Sequence, residues 1–118
     1  MFTPLDLAAK LQDEVAKYVY NENRVPKKYR YTLGADLIRK TDELFDNASY
    51  ANEIWLTPKT APERKKYWVR ASANVKQLDR RLQRLRNVVD GATVENMKEI
   101  LRLLNEERGA LSERIKNE

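Results

Sequence analysis

Residues 63–89 read ERKKYWVRASANVKQLDRRLQRLRNVV, and this stretch decides the fold. At 100° per residue, Trp68, Ala71, Val75, Leu78, Leu82, Leu85 and Val89 fall on one face of a helix. The stretch carries nine Lys/Arg against two carboxylates. Lys66, Arg70, Arg80, Arg81 and Arg84 line the opposite face, with Ala73 and Gln77 between them. From Lys66 to Arg84 that stripe is about 27 Å long at the α-helical rise. Solvated helix faces usually mix signs, because opposite charges at i,i+4 stabilise a helix and like charges repel. A face without an acid makes a polyanion or an acidic partner a candidate, beside the plainer reading of a solubilising surface.

The flanking sequence punctuates the chain at regular intervals. Thr3-Pro4-Leu5-Asp6 reads as an N-cap, a proline at N1 and an acid in the first turn. The helix it opens puts Leu7, Ala8, Leu11, Val15, Tyr18 and Val19 on one face. Pro26 starts a second helix with Leu33, Leu37, Leu44, Ala48, Ala51 and Trp55 on its core face. Thr60-Ala61-Pro62-Glu63 has a capping-box pattern for the third helix, with Thr60 as N-cap and Glu63 as N3. Asp90-Gly91 turns the chain, and Thr93 is the expected cap of a fourth helix with Val94, Met97, Ile100, Leu101, Leu104, Leu111 and Ile115 on its apolar stripe. No segment alternates with period two. The expectation is an all-α, up-down-up-down four-helix bundle in a single domain, residues 1–118, with helices near 4–23, 27–55, 61–89 and 93–117.

Composition narrows the function classes. The chain has no Cys and no His, so disulfides, thiolate metal sites and the common nucleophile–His dyads are excluded. No glycine-rich phosphate loop is present; Gly34, Gly91 and Gly109 are isolated. Adjacent acids such as Asp42-Glu43 and Glu106-Glu107 point to different helix faces, and the acids mostly lie outside the apolar stripes. A protein without catalytic residues, metal or cofactor is therefore expected. Charged residues are 35% of the chain and no run is apolar enough to span a bilayer, so no membrane association is expected. Met1-Phe2-Thr3-Pro4-Leu5-Asp6 lacks the pattern of a signal peptide, and the expected location is cytoplasmic.

The net charge of +5 conceals segregation by element. Residues 24–40 carry six bases and one acid and residues 63–91 nine and three, whereas residues 1–23 carry two and four. Arg24, Lys27, Lys28 and Arg30 crowd the start of the second helix, where each cation opposes the helix dipole. Partners in the acidic first helix or a phosphate backbone could equally offset that cost. Tyr29, among these bases, lies nearer the core face. Gly34 inside a helix costs about 1 kcal/mol relative to Ala, which a close helix–helix approach would account for. Tyr31, Ile38 and Phe45 recur at heptad spacing beside the core face of the second helix, and Leu103 and Ala110 repeat that offset on the fourth. A second packing surface, hence a homo-oligomer, explains such a stripe better than scattered exposure does.

The stretch Arg24-Val25-Pro26-Lys27-Lys28-Tyr29-Arg30-Tyr31-Thr32-Leu33-Gly34 resembles the Pro-Lys-x-x-Arg-x-x-Leu-Gly signature of the Avd-like four-helix-bundle family. That family comprises accessory variability determinants of diversity-generating retroelements and relatives encoded in intervening sequences of ribosomal RNA genes. Leu82-Gln83-Arg84-Leu85 and Arg114-Ile115-Lys116 are also similar, whereas Gly109 is followed by Ala110 where many members carry Trp. The resemblance implies a homopentameric barrel with a basic channel. It also implies binding to nucleic acid and to the retroelement's reverse transcriptase, in support of cDNA synthesis during mutagenic retrohoming, without catalysis. The alternative is an oligomeric protein-interaction scaffold of the intervening-sequence branch with no retroelement role. Either way, the residues expected to meet a polyanion are Arg24, Lys27, Lys28, Arg30, Lys66, Arg70, Arg80, Arg81 and Arg84, and nothing in them resembles a base-reading motif.

Overall fold

The first helix begins where its capping residues require it to. In a computed structural model that describes residues 2–118, the Thr3 hydroxyl accepts from the Asp6 backbone N–H and the Asp6 carboxylate accepts from that of Thr3, both at 3.1 Å. Helix α1 then runs Pro4–Val19. It stops short of the expected position because Asn21 turns the chain: its carbonyl accepts from both Arg24 and Val25 at 2.9 Å. That turn carries Val25 into the core ahead of Pro26.

The second expected helix is three pieces. A single turn, α2 (Lys27–Tyr29), passes into a π-helical segment, Arg30–Gly34, and then into α3 (Ala35–Glu53). A Cβ on Gly34 would lie 2.6 Å from Cγ1 of Val19, so the close approach expected at this glycine is present, between the π segment and the end of α1. The π turn advances the chain by about one residue relative to an α-helix. It therefore breaks the heptad register: Ile38 and Phe45 are half-buried against the core, while Tyr31 stands 77% exposed.

Helix α4 runs Ala61–Val88, and α5 runs Lys98–Asn117. The expected cap on α4 is not made. The Thr60 hydroxyl instead donates to the Trp55 carbonyl at 2.5 Å and bonds Thr57, closing the α3–α4 connection. Nor does α5 begin at Thr93. Thr93 and Asn96 bond each other reciprocally at 3.1 Å, and the Asn96 side chain also binds the Gly91 carbonyl and the Tyr18 hydroxyl. Residues 94–97 are thereby held as a turn, which leaves Val94 exposed rather than in the core. Trp55, expected on the core face, lies beyond the end of α3 and is 83% exposed.

The four long helices run antiparallel in sequence. Gln12 bonds Asp42 across α1 and α3, Asn47 bonds Asn74 and Asp36 bonds Arg81 across α3 and α4, and Arg64 bonds Glu118 while Asp79 pairs with Arg108 across α4 and α5. Helix α5 packs back on α1, so the ring closes around one apolar core in a body 49 Å long. This is the layout of an up-down-up-down four-helix bundle, with no strands among the described residues. Leu103 belongs to that core at 2% exposure, so it cannot contact another subunit as expected. Its heptad partner Ala110 is half-buried against the same core.

Two charged residues lie on apolar stripes. Arg64, four residues before Trp68, is buried. It binds the Glu118 carboxylate through Nε at 2.6 Å and the carbonyls of Ala51 and Ile54 through Nη1 at 3.1 and 2.8 Å. Glu118 also accepts from the Trp68 indole N–H at 2.9 Å; burial pushes its carboxyl up, and the Arg64 and Trp68 hydrogen bonds outweigh that and hold it below the ordinary value. Glu107 lies between Leu104 and Leu111 at 0% exposure, and neither carboxyl oxygen has a partner among the described residues. Burial pushes it from the ordinary 4.5 up to about 8.

A pH dependence of stability follows from Glu107. The folded chain holds a proton there that the unfolded chain releases near pH 4.5, so the raised value costs stability as pH rises from about 4.5 to about 8. Unfolding free energy should fall across that window by up to roughly 1.4 kcal/mol per pH unit and then level off. Glu107→Gln should remove this contribution. Urea unfolding at a series of pH values checks it, and identical pH profiles for the two proteins would contradict it.

Candidate functional site

The outward face of α4 is set by what its inward face buries. Trp68, Ala71, Val75, Leu78, Leu82 and Leu85 are all buried on the expected stripe. Each fully buried large side chain contributes about 1.5–3 kcal/mol, whereas a like-charged i,i+4 pair costs only about 0.2–0.5 kcal/mol. Core burial therefore holds the helix in this orientation against the repulsion among its own bases. Lys66, Arg70, Arg80 and Arg84 are left exposed on the far side, with no ion pair among the described residues. Lys76 is also exposed, on the flank of the stripe. Its position, well off the stripe's centre, keeps it out of the angular pattern.

Arg81 differs from its neighbours. Its Nε donates to Asp36 of α3 at 2.5 Å, and Asp36 also pairs with Arg39. Burial pushes the Asp36 carboxyl up, but the hydrogen bonds from Arg81 and Arg39 outweigh it, and the group sits below its ordinary value. Asp36 reaches this face from α3, so angles counted around α4 alone do not reveal it. Leu33, Asp36, Arg80, Arg81 and Arg84 line a cleft between the π segment and the last third of α4. Its floor is partly apolar, and two of its three guanidinium groups are uncompensated among the described residues.

The cluster at the start of α2 divides. Lys27 and Lys28 are exposed. Arg30 is not: its side chain is 14% exposed, stacks 5.2 Å over the Tyr20 ring and lies 3.8 Å from Glu22. Of the two ways to offset its charge, Arg30 uses the intramolecular one. Arg24 lines a groove with Glu14, Lys17, Asn96 and Glu99 between α1 and the turn before α5. It therefore faces away from the cleft that Arg80 and Arg84 line. The structure brings Lys66, Arg70, Arg80 and Arg84 onto one continuous face and leaves Arg24 and Arg30 outside it.

No group of three or more Asp, Glu, His or Cys among the described residues is arranged to hold a metal ion. No helix of the described residues is long and apolar enough to cross a membrane. An unpaired row of cations beside an arginine-lined cleft can hold several anionic groups at once, at spacings set by the helical repeat.

Compared with family models, with characterised proteins and with solved structures, the chain matches none.

Proposed function

We propose that this protein is a non-enzymatic nucleic-acid-binding accessory subunit, with the outward face of α4 as its contact surface. The observation that supports the reading most is the row Lys66, Arg70, Arg80 and Arg84, exposed and without ion pairs among the described residues on a helix whose other side is fully packed. Such a row tracks a phosphate backbone and reads no bases, so binding is expected to be largely independent of sequence. Lys27 and Lys28 add charge from α2.

The resemblance of residues 24–34 to the Avd-like family supports the finer reading: association with a retroelement reverse transcriptase and support of cDNA synthesis during mutagenic retrohoming. A reverse-transcriptase gene beside this one, with paired template and variable repeats, is the observation that would carry that part. The same resemblance supports a pentamer, and exposed Tyr31 with half-buried Ile38 and Phe45 are the apolar side chains proposed for its subunit contacts. Light scattering at micromolar concentration should then give a particle near five times 13.9 kDa, and a particle of 13.9 kDa would refute the assembly. An interaction scaffold that docks an acidic protein is the second reading. The internal pairing of Arg30 and Arg81 favours it by reducing the free charge.

Salt dependence separates the two. Four phosphate contacts should give a log–log slope of about −2.8 to −3.6 per subunit. Replacing Arg80 and Arg84 by Gln should flatten it by about 1.4–1.8, and Asp36→Asn, which frees Arg81, should steepen it by about 0.7–0.9. If the Arg80/Arg84 variant keeps the parent slope on RNA and DNA, the face is a solubilising one and the scaffold reading replaces this one.

A further inference from the structure

Aromatic rings stand among unpaired cations at the end of the bundle where α3 leads into α4. Tyr50, in the last turn of α3, is 52% exposed, and its ring centroid lies 5.5 Å from that of Tyr67 with the planes tilted by 50°. The Arg70 guanidinium lies 5.3 Å over the Tyr67 ring, and Lys66 is exposed one turn earlier on the same helix. Trp55, on the connection itself, is the most open apolar residue at this end, and Leu56 beside it is also exposed. The backbone beneath Trp55 is fixed from two sides. Thr60 Oγ1 donates to the Trp55 carbonyl, and buried Arg64 donates to that of Ile54. A large ring held outward on an anchored turn forgoes the burial that indole normally gains.

We propose that this end of the bundle binds unpaired bases of single-stranded RNA or DNA. The bases stack on Trp55 and on the exposed ring of Tyr50, which half-buried Tyr67 backs, and Lys66 and Arg70 take the adjoining phosphates. The inference rests on the nucleic-acid reading above and narrows it to a strand that is unpaired at this end, because bases within a duplex present no free face. The strand's backbone continues along α4 toward Arg80 and Arg84, in line with Lys66 and Arg70 on the same helix face. Charge favours this occupant over a second copy of the chain. Residues 50–70 carry Lys59, Lys65, Lys66 and Arg70, none in an ion pair among the described residues, against Glu53 and Glu63, and two copies meeting here would bring the cations together.

The test compares a uridine oligonucleotide with a duplex of equal length, using the full chain and its Trp55→Ala/Tyr50→Ala variant. Both side chains are more than half exposed, so the fold should survive, which circular dichroism checks. The parent should bind the single strand more tightly. The variant should lose about fivefold or more on the single strand, while its duplex affinity and its salt slope stay unchanged. Equal losses on both ligands, or no loss on either, would overturn the stacking site while leaving the nucleic-acid reading in place. A parent chain that binds neither ligand would overturn both. A variant whose particle mass falls would show that the rings are a contact between copies of the chain, and would also overturn the proposal.

Discussion

The seating of α4 between α3 and α5 is the constraint on which the rest of this molecule depends. Its buried row from Trp68 to Leu85 fixes which residues face outward, and the two neighbouring helices take up the flanks. Once that row is packed, the rotation of α4 is no longer free. Turning the helix enough to mix its charges with the acids of α3 or α5 would expose several large apolar side chains. That would cost several times what the charge repulsion costs. The basic face is thus a consequence of core packing as much as of composition.

Around that constraint the protein disposes of its other cations in three ways. Arg64 is buried and satisfied by two carbonyls and Glu118, tying the connection after α3 to both α4 and the end of α5. Losing one partner of such a buried pair costs about 3–5 kcal/mol, so this contact belongs to stability rather than to binding. Arg30 and Arg81 are paired at partly covered positions, with Glu22 and Asp36. Lys66, Arg70, Arg80 and Arg84 remain exposed. The surface offered to a partner is therefore smaller and more coherent than the total of 23 Lys and Arg suggests.

The helices and their inward faces were legible because 3.6-residue periodicity reports burial directly. The apolar rows of α1, α3 and α4 lie where the spacing puts them, with Trp55 as the exception, and Gly34 marks a close approach. What escaped reading has physical causes. Arg64 and Glu107 occupy stripe positions, but charged residues are read as solvated unless a partner or a low-dielectric site is known in advance. The π segment leaves no mark in hydrophobic spacing, so heptad spacing aligns Tyr31 with Ile38 and Phe45 on a register that the backbone does not keep. Leu103 reads as part of a second surface because the core stripe of α5 is wider than its centre suggests. Thr60 and Thr93 carry capping sequences, yet both hydroxyls serve turns. Asp36 neutralises Arg81 from another helix, an interaction that exists only once the bundle is assembled.

The central claim is that the outward face of α4 is where nucleic acid lies. Backbone amide and arginine side-chain resonances, followed during titration with a short RNA strand, test it most directly. The account predicts that the largest shifts map to Lys66, Arg70, Arg80 and Arg84 and their neighbours on α4, with Arg24 and the outer faces of α1 and α5 unmoved. Shifts concentrated on α1 and α5, with the α4 face silent, would contradict it.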